Sequence, residues 1–289
     1  MTDDRLPVQK THKLYVNGSF VRSESGRVAP VRDDAGRIIA QICHASRKDL
    51  RDAVEAATRA RAGWRKRSAY NRGQILYRLA EMLESRRAMA IEALRPLDDD
   101  AAAAEVDATV DRLVHFAGWP DKLMQVFGHQ NPVAGPYYCL STPEPVGVVA
   151  ALAPTRPGLL GLVTLLAPAL ASGNVVVAVG SWSDPLATSL LGEVCATSDV
   201  PPGVVNLLLA PPGELESHLA AHRAIDAVIA ANPSEEHATT LRGGAAENLK
   251  RVHVWTADAD EWADASRWET PWTMEPLLEI KTIWHPVAT

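Results

Sequence analysis

The chain reads as an α/β protein built on a doubly wound parallel sheet, with a small β element beside it. Five apolar, valine-rich runs recur at 146–152, 175–179, 204–209, 227–230 and 252–255. Each is too short for a helix and is followed by a helical pattern. Short, continuously apolar strands alternating with helices signify βαβ units whose sheet is covered on both faces. The closing stretch from Leu277 to Trp284 differs, alternating apolar and polar residues as a strand with one apolar face does.

In chain order, Leu14 to Val21 places an Asn17-Gly18 turn between apolar pairs, a strong hairpin signal, and a short strand follows from Arg37 to Cys43. Ser46 with Asp49 resembles a capping box. Leu50, Val54 and Ala57 continue at helical spacing, and that helix should end near Gly63-Trp64. A second helix from about Asn71 sets Ile75, Leu76, Leu79 and Leu83 on one stripe. A third is expected from about Asp100 to Phe116, stopping at Gly118, with Asp98-Asp-Asp100 as a cap against the positive end of the helix dipole. Tyr137 to Leu152 reads as two extended segments parted by Thr142-Pro-Glu-Pro145, because proline brings no N–H to a central strand. Pro157 to Ser183 is uncharged, but Pro168 and Gly173-Asn174 divide it into a buried helix and a buried strand, not a membrane span. The tail strand follows a tryptophan-rich linker (Trp262, Trp268, Trp272) and sets Leu278, Ile280, Thr282 and Trp284 on one face.

Composition narrows the function classes. Of the 289 residues 47 % are apolar and 22 % charged, enough to build a core. A formal net charge of −6 offers no electrostatic footprint for nucleic acid. Cys43, Cys139 and Cys195 are far apart and form no C-x-x-C, as expected of buried thiols in the reducing cytoplasm, and from Met1–Arg5 no secretory signal is expected. No G-x-G-x-x-G, G-x-x-x-x-G-K-[ST] or H-E-x-x-H occurs. His218 and His222 stand four apart without a third ligand nearby, so no metal site is expected. Asp258, Asp260, Glu261 and Asp264 read as a solvated helix start. Cys43 and His44, strand neighbours, point to opposite faces and cannot pair as nucleophile and base. No catalytic residue is expected.

Leu166-Ala-Pro-Ala-Leu-Ala-Ser-Gly-Asn-Val-Val-Val177, followed by Pro201-Pro-Gly-Val-Val-Asn206, resembles the aldehyde dehydrogenase superfamily, whose helix and strand before the cofactor-ribose site look like the first of these. Glu144-Pro-Val-Gly147 is similar to the approach to that family's first Rossmann strand, and Asn248-Leu-Lys-Arg-Val252 to a later one. Leu14-Tyr-Val-Asn-Gly18 and Phe116-Ala-Gly-Trp119 resemble its N-terminal hairpin and helix, and Leu278-Glu-Ile-Lys-Thr282 its C-terminal bridging strand. The resemblance implies a Rossmann-like, degenerate NAD-binding domain at 12–136 and 153–266. It further implies a bridging or oligomerisation element at 137–152 and 277–289, and no catalytic domain.

The departures carry as much meaning. The family's substrate-orienting Asn corresponds to Arg156 of Pro154-Thr-Arg-Pro-Gly158. Its ribose-binding Lys and Glu fall on Val179 and Trp182, and a large ring at Trp182 would fill the old adenosine pocket. Its pyrophosphate-facing Gly-Ser pair falls on Asn232-Pro233, where proline has no N–H to give. The segments bearing the general-base Glu and the nucleophilic Cys have no counterpart. The resemblance thus implies a pseudo-aldehyde dehydrogenase that holds no cofactor. Random truncation would remove the tail strand and not the segment before it, so the retained strand implies a role. In the family that strand adds to the catalytic sheet of a neighbouring subunit, which makes Tyr137, Cys139, Leu278, Ile280, Thr282 and Trp284 the expected interface. The expected partner is a full-length aldehyde dehydrogenase. A homodimer has no catalytic domain to receive the strand and would leave Leu278, Ile280 and Trp284 uncovered. Two further readings stay open. One is a residual NAD(P)-dependent aldehyde oxidoreductase; the other is a ligand sensor using the crevice at the open end of the sheet beside Arg156.

Overall fold

The computed structural model describes residues 8–33, 35–94 and 97–287. Met1–Arg5 and the last two residues of the 277–289 tail lie outside the described residues. The N-terminal part comprises β1 (Thr11–His12), β2 (Leu14–Val16), β3 (Ser19–Val21), β4 (Val28–Arg32) and β5 (Ile38–Cys43). The helices α1 (Arg47–Lys66), α2 (Ala69–Glu84), α3 (Arg87–Ala93), α4 (Asp99–Ala117) and α5 (Leu123–Phe127) follow. Next come β6 (His129–Asn131), β7 (Tyr137–Pro145) and β8 (Val148–Leu152). The alternating half runs α6 (Gly158–Ala171), β9 (Val175–Val179), α7 (Pro185–Ala196), β10 (Val205–Leu208), α8 (Glu216–Ala221), β11 (Ala227–Ala231), α9 (Glu235–Ala246) and β12 (Arg251–Trp255). The chain closes with α10 (Ala265–Trp268) and β13 (Leu278–Pro286).

The five apolar runs form parallel neighbours in the order β12-β11-β8-β9-β10, extended by the β2-β3 hairpin. The chain therefore winds outward in both directions from β8, the doubly wound Rossmann-like arrangement. The hairpin joins antiparallel to β10, pairing Leu207 with Tyr15. Its turn holds Asn17 at φ 52° and Gly18 at φ 73°, the left-handed pair that a two-residue hairpin needs. The Asn17 amide donates to Asn206 Oδ1 at 2.9 Å, fixing the hairpin to the sheet.

Helix starts follow their caps. Ser46 Oγ accepts from Asp49 N at 3.3 Å while Asp49 Oδ2 accepts from Ser46 N at 2.7 Å, a complete capping box. The helix runs past Gly63-Trp64 to Lys66, because Trp64 is a buried core anchor. Asp98 caps α4 by accepting from Ala101 N at 2.8 Å. Every residue of α6 is buried, and no described helix is long and apolar enough to cross a membrane.

Three arrangements depart from expectation. First, β7 runs unbroken through Thr142-Pro-Glu-Pro145 and pairs with β13 along its length. The partner on its other side, β6, reaches only Ser141. Pro143 and Pro145 therefore lie where no neighbouring strand needs an N–H. Second, the 137–152 segment divides between two sheets: β7 is the middle of β13-β7-β6, whereas β8 is the central strand of the main sheet. The small sheet's share of the 137–152 segment expected to form a bridging element therefore ends before Val146-Gly147. Third, α3 and α5 start without a side-chain cap and β1, β4 and β6 are short or largely exposed strands, so the sequence carries no local signal for any of them.

The tryptophan-rich segment after β12 is a packed strap. Trp262 stacks on Trp268 with centroids 4.5 Å apart and planes within 5°, and Trp268 also touches Trp255 at 5.5 Å. Met274 and Leu277 are fully buried beneath it. The buried Arg112 of α4 ties the strap down, donating to Thr164 Oγ1 of α6 (2.6 Å), the Trp262 carbonyl (3.2 Å) and Glu269 Oε1 (3.3 Å). Asp264 caps α10 by accepting from Ser266 N at 2.9 Å, and Glu261 pairs with Arg267 at 2.9 Å, as a solvated helix start would.

Candidate functional site

The C-terminal ends of β8, β9, β10 and β11 open on a cleft of about 380 Å³, at the point where the winding reverses. Val179, Trp182, Asn232 and Pro233 all line it. Val179 ends β9 and contributes only an aliphatic chain. Trp182 is half-buried, with its ring 5.3 Å from that of His44. His44 is held in turn by Glu214 (Nε2 to Oε2, 2.5 Å), and Glu214 by Arg27 at 2.6 Å. Trp182 is thus a braced wall of the cleft. Asn232 sits at φ 48° and spends its side chain on the backbone beyond β12: Oδ1 accepts from Ala257 N at 2.9 Å and Nδ2 donates to Ala257 O at 2.8 Å. Pro233 leads into Ser234, whose Oγ caps α9 by accepting from His237 N at 3.2 Å.

Arg156 does not line the cleft. Its Nε lies 3.7 Å from Oδ1 of the buried Asp184. Glu105 Oε1 accepts from Leu159 N (2.9 Å) and Leu160 N (3.1 Å), so a carboxylate of the chain itself occupies the N-terminus of α6. Burial is the chief cause that raises both carboxyls above their usual range. Arg156 therefore faces a carboxylate of its own chain, although Asp184 Oδ1 itself has no hydrogen-bond partner.

Two cleft residues gave no sequence signal. Glu216 is only 6 % exposed; its Oε1 accepts from Gly213 N at 2.7 Å, and its Oε2 is buried without a hydrogen-bond partner. His237 Nδ1 lies 3.9 Å from Glu216 Oε1. Neither belongs to a recognisable spacing, since they come together only when α8 and α9 pack. The His218 and His222 pair is not formed on one helix: α8 ends at Ala221, and His222 Nδ1 accepts from Ala224 N at 3.2 Å. Among the described residues no group of three or more His, Cys, Asp or Glu could hold a metal ion. All three cysteines are buried, and burial pushes the Cys195 thiol up to about 12, far from a reactive thiolate.

The six residues expected at an interface separate into two groups. Tyr137, Ile280, Thr282 and Trp284 are exposed, and Tyr137 packs edge-on against Trp284 at 5.8 Å. Cys139 and Leu278 are 3 % and 4 % exposed and belong to the interior instead: Asn131 of β6 lies opposite the first, its Nδ2 3.5 Å from Sγ, and the second joins the main core. β13 finds its pairing edge within its own chain, on β7.

Comparison with known proteins agrees with this architecture. A model of the Aldehyde dehydrogenase family matches residues 20–256. Retinal dehydrogenase 2 of Gallus gallus is 34 % identical over 251 residues, covering 84 % of this chain and 48 % of that protein. The mitochondrial aldehyde dehydrogenase of Rattus norvegicus is 30 % identical over 271 residues, 87 % of this chain and 51 % of its own length. Among solved structures, a putative aldehyde dehydrogenase from Burkholderia cenocepacia superposes with TM-score 0.79 at 29 % identity, over 84 % of this chain and 50 % of that one. An NAD+ complex of an aldehyde dehydrogenase from Bacillus cereus gives 0.80 at 26 %, over 86 % and 51 %. The chain spans about half the length of the curated relatives it matches. With the family model matched over most of its length and relatives 30–34 % identical over more than four-fifths of it, the chain belongs to the aldehyde dehydrogenase family.

Proposed function

We propose that this chain is a non-catalytic aldehyde dehydrogenase-like subunit, a pseudoenzyme that assembles with a full-length aldehyde dehydrogenase and stabilises or regulates it. The observation that carries the reading is internal to the fold. Between Trp255 and Leu278 lies a short strap packed against α6, where a second domain would have to be inserted, yet β13 beyond it is retained and paired. Strand addition rests on main-chain hydrogen bonds, so it outlasts the loss of side-chain chemistry.

The cleft does not fit a dinucleotide. Val179 offers no hydrogen bond to a ribose hydroxyl, Pro233 supplies no N–H to a pyrophosphate, and the Asn232 amide is already committed to Ala257. The alternative of a NAD(P)-dependent aldehyde oxidoreductase needs both a cofactor site and a nucleophile, and the buried thiols supply none. Binding of another small ligand in the cleft is favoured by one observation, the unpartnered carboxylate oxygen of Glu216 behind its wall. Three free, buried thiols suit the reducing cytoplasm, where we place the protein.

The test is co-expression with a full-length aldehyde dehydrogenase from the same source, weighing the products by light scattering and following NAD reduction. The reading expects a mixed complex whose activity resides in the full-length subunit and whose assembly is lost when 277–289 is deleted. A chain that ignores that enzyme, or that reduces NAD with an aldehyde by itself, overturns it.

A further inference from the structure

The register of β13 fixes which of its main-chain groups are free. In an antiparallel pair, residues that exchange both N–H···O bonds alternate with residues whose groups point away. Val146 N donates to Leu277 O at 3.2 Å, and Val287 N donates to Pro136 O at 2.8 Å. Between these ends β13 bonds to β7 through Glu279, Lys281, Ile283 and His285. Leu278, Ile280, Thr282 and Trp284 consequently turn their N–H and C=O outward, and β13 is the terminal strand of its sheet. Leu278 is already engaged, its carbonyl accepting from Arg251 Nη1 at 2.5 Å. Pro286 has no N–H and closes the other end. What remains is an open edge of Ile280, Thr282 and Trp284, in which the isoleucine is 53 % and the tryptophan 57 % exposed.

We infer that two copies of this chain pair through this edge, antiparallel, about a two-fold axis at Thr282. Such a contact is isologous, so one patch must complement itself. With the axis at Thr282, Ile280 of one copy lies opposite Trp284 of the other and Thr282 opposite Thr282, and all three open residues exchange their bonds. On the other face Lys281 meets Ile283 and Glu279 meets His285, so no like charges are opposed. Moving the axis to Lys281 sets two lysines against each other and wastes Trp284 on the blocked Leu278. Moving it to Ile283 brings Ile280 against Pro286, which cannot donate. Aromatic side chains opposite β-branched ones are favourable cross-strand pairs. The pairing also covers the exposed Ile280 and Trp284 that an unpaired edge would leave to aggregation. The expectation that a homodimer leaves this face uncovered holds only for a strand that must be received by a catalytic sheet: Leu278 is buried within its own chain, and edge-to-edge pairing covers Ile280 and Trp284. The pairing does not depend on the hetero-subunit reading but uses the same strand, so a full-length partner would have to displace the second copy.

Sedimentation equilibrium of the full chain tests it. A concentration-dependent dimer is expected, and Thr282→Lys, which opposes two charges on the axis, should weaken it about tenfold or more. A covalent readout guards against misfolding of that variant. Residues directly opposed in a bonded pair have Cα atoms about 5.5 Å apart, within disulfide reach. Oxidised Thr282→Cys should therefore form a disulfide-linked dimer on its own. Ile280→Cys should not, yet it should cross-link when mixed with Trp284→Cys. A strict monomer at all concentrations, or cross-linking that does not distinguish 280 from 282, overturns the pairing. A monomer that still joins the full-length enzyme overturns the self-pairing alone. A dimer cross-linked at 282 that never joins that enzyme overturns the subunit reading alone.

Discussion

The main sheet and the small β13-β7-β6 sheet are made by the same chain under opposite conditions. β8, β9, β10 and β11 are buried along nearly their whole length between layers of helix, and their sequences are accordingly almost pure Val, Ala, Leu and Ile. β13 is buried at Leu278 and exposed at each of its other residues, and its sequence mixes Glu, Lys, Thr and His with Ile and Trp. In the first sheet apolar residues find all their partners inside the molecule. In the second, Tyr137, Ile280, Ile283 and Trp284 stand at the surface with only part of their area covered. The difference teaches that the fold is self-sufficient around β8 and unfinished around β13.

That contrast can be broken or sharpened by substitution. The largest effect should come from the strap that seals the main core: Trp262→Ala removes a fully buried ring stacked on Trp268 and should cost about 3–5 kcal/mol in urea unfolding. Arg112→Met strips the buried guanidinium from Thr164, the Trp262 carbonyl and Glu269 and should cost about 2–3 kcal/mol, read in the same way. A smaller effect should depend on pH. Burial raises Glu105 in the folded state, so its contribution favours folding fully below the unfolded value of about 4.3 and is lost as pH rises through the raised folded value. Glu105→Gln should consequently gain on the parent chain as pH rises through that window, by at most about 1.4 kcal/mol per pH unit. A stability difference that is flat with pH would show that Glu105 is not desolvated. Smallest of all, Trp284→Ala should change unfolding by under about 0.5 kcal/mol while changing association, because its ring lies on the unfinished side.

What was legible in the sequence tracks the same division. Continuous apolar runs, the Asn17-Gly18 turn and the caps at Ser46 and Asp98 are local signals, and each formed where its residues predicted. The alternation of the tail showed a strand and its faces, but not that Pro143 and Pro145 would be tolerated, since that depends on β6 ending at Ser141. Cys139 and Leu278 looked equivalent to Ile280 and Trp284 by periodicity; only β6 beside the first and the main core around the second separate them. Of the cleft, the positions 179, 182, 232 and 233 were placed by resemblance. Glu216 and His237 were invisible because residues from two helices meet there without a shared spacing.

The strap offers one more consequence, an optical one. Two indoles held face to face at 4.5 Å with planes 5° apart couple their electronic transitions, and Trp255 lies beside the pair. The folded chain should therefore carry a paired circular-dichroism band from these rings that disappears when the strap lifts, even if every helix remains intact. The segment between β12 and β13 is thereby its own spectroscopic reporter, readable without a label.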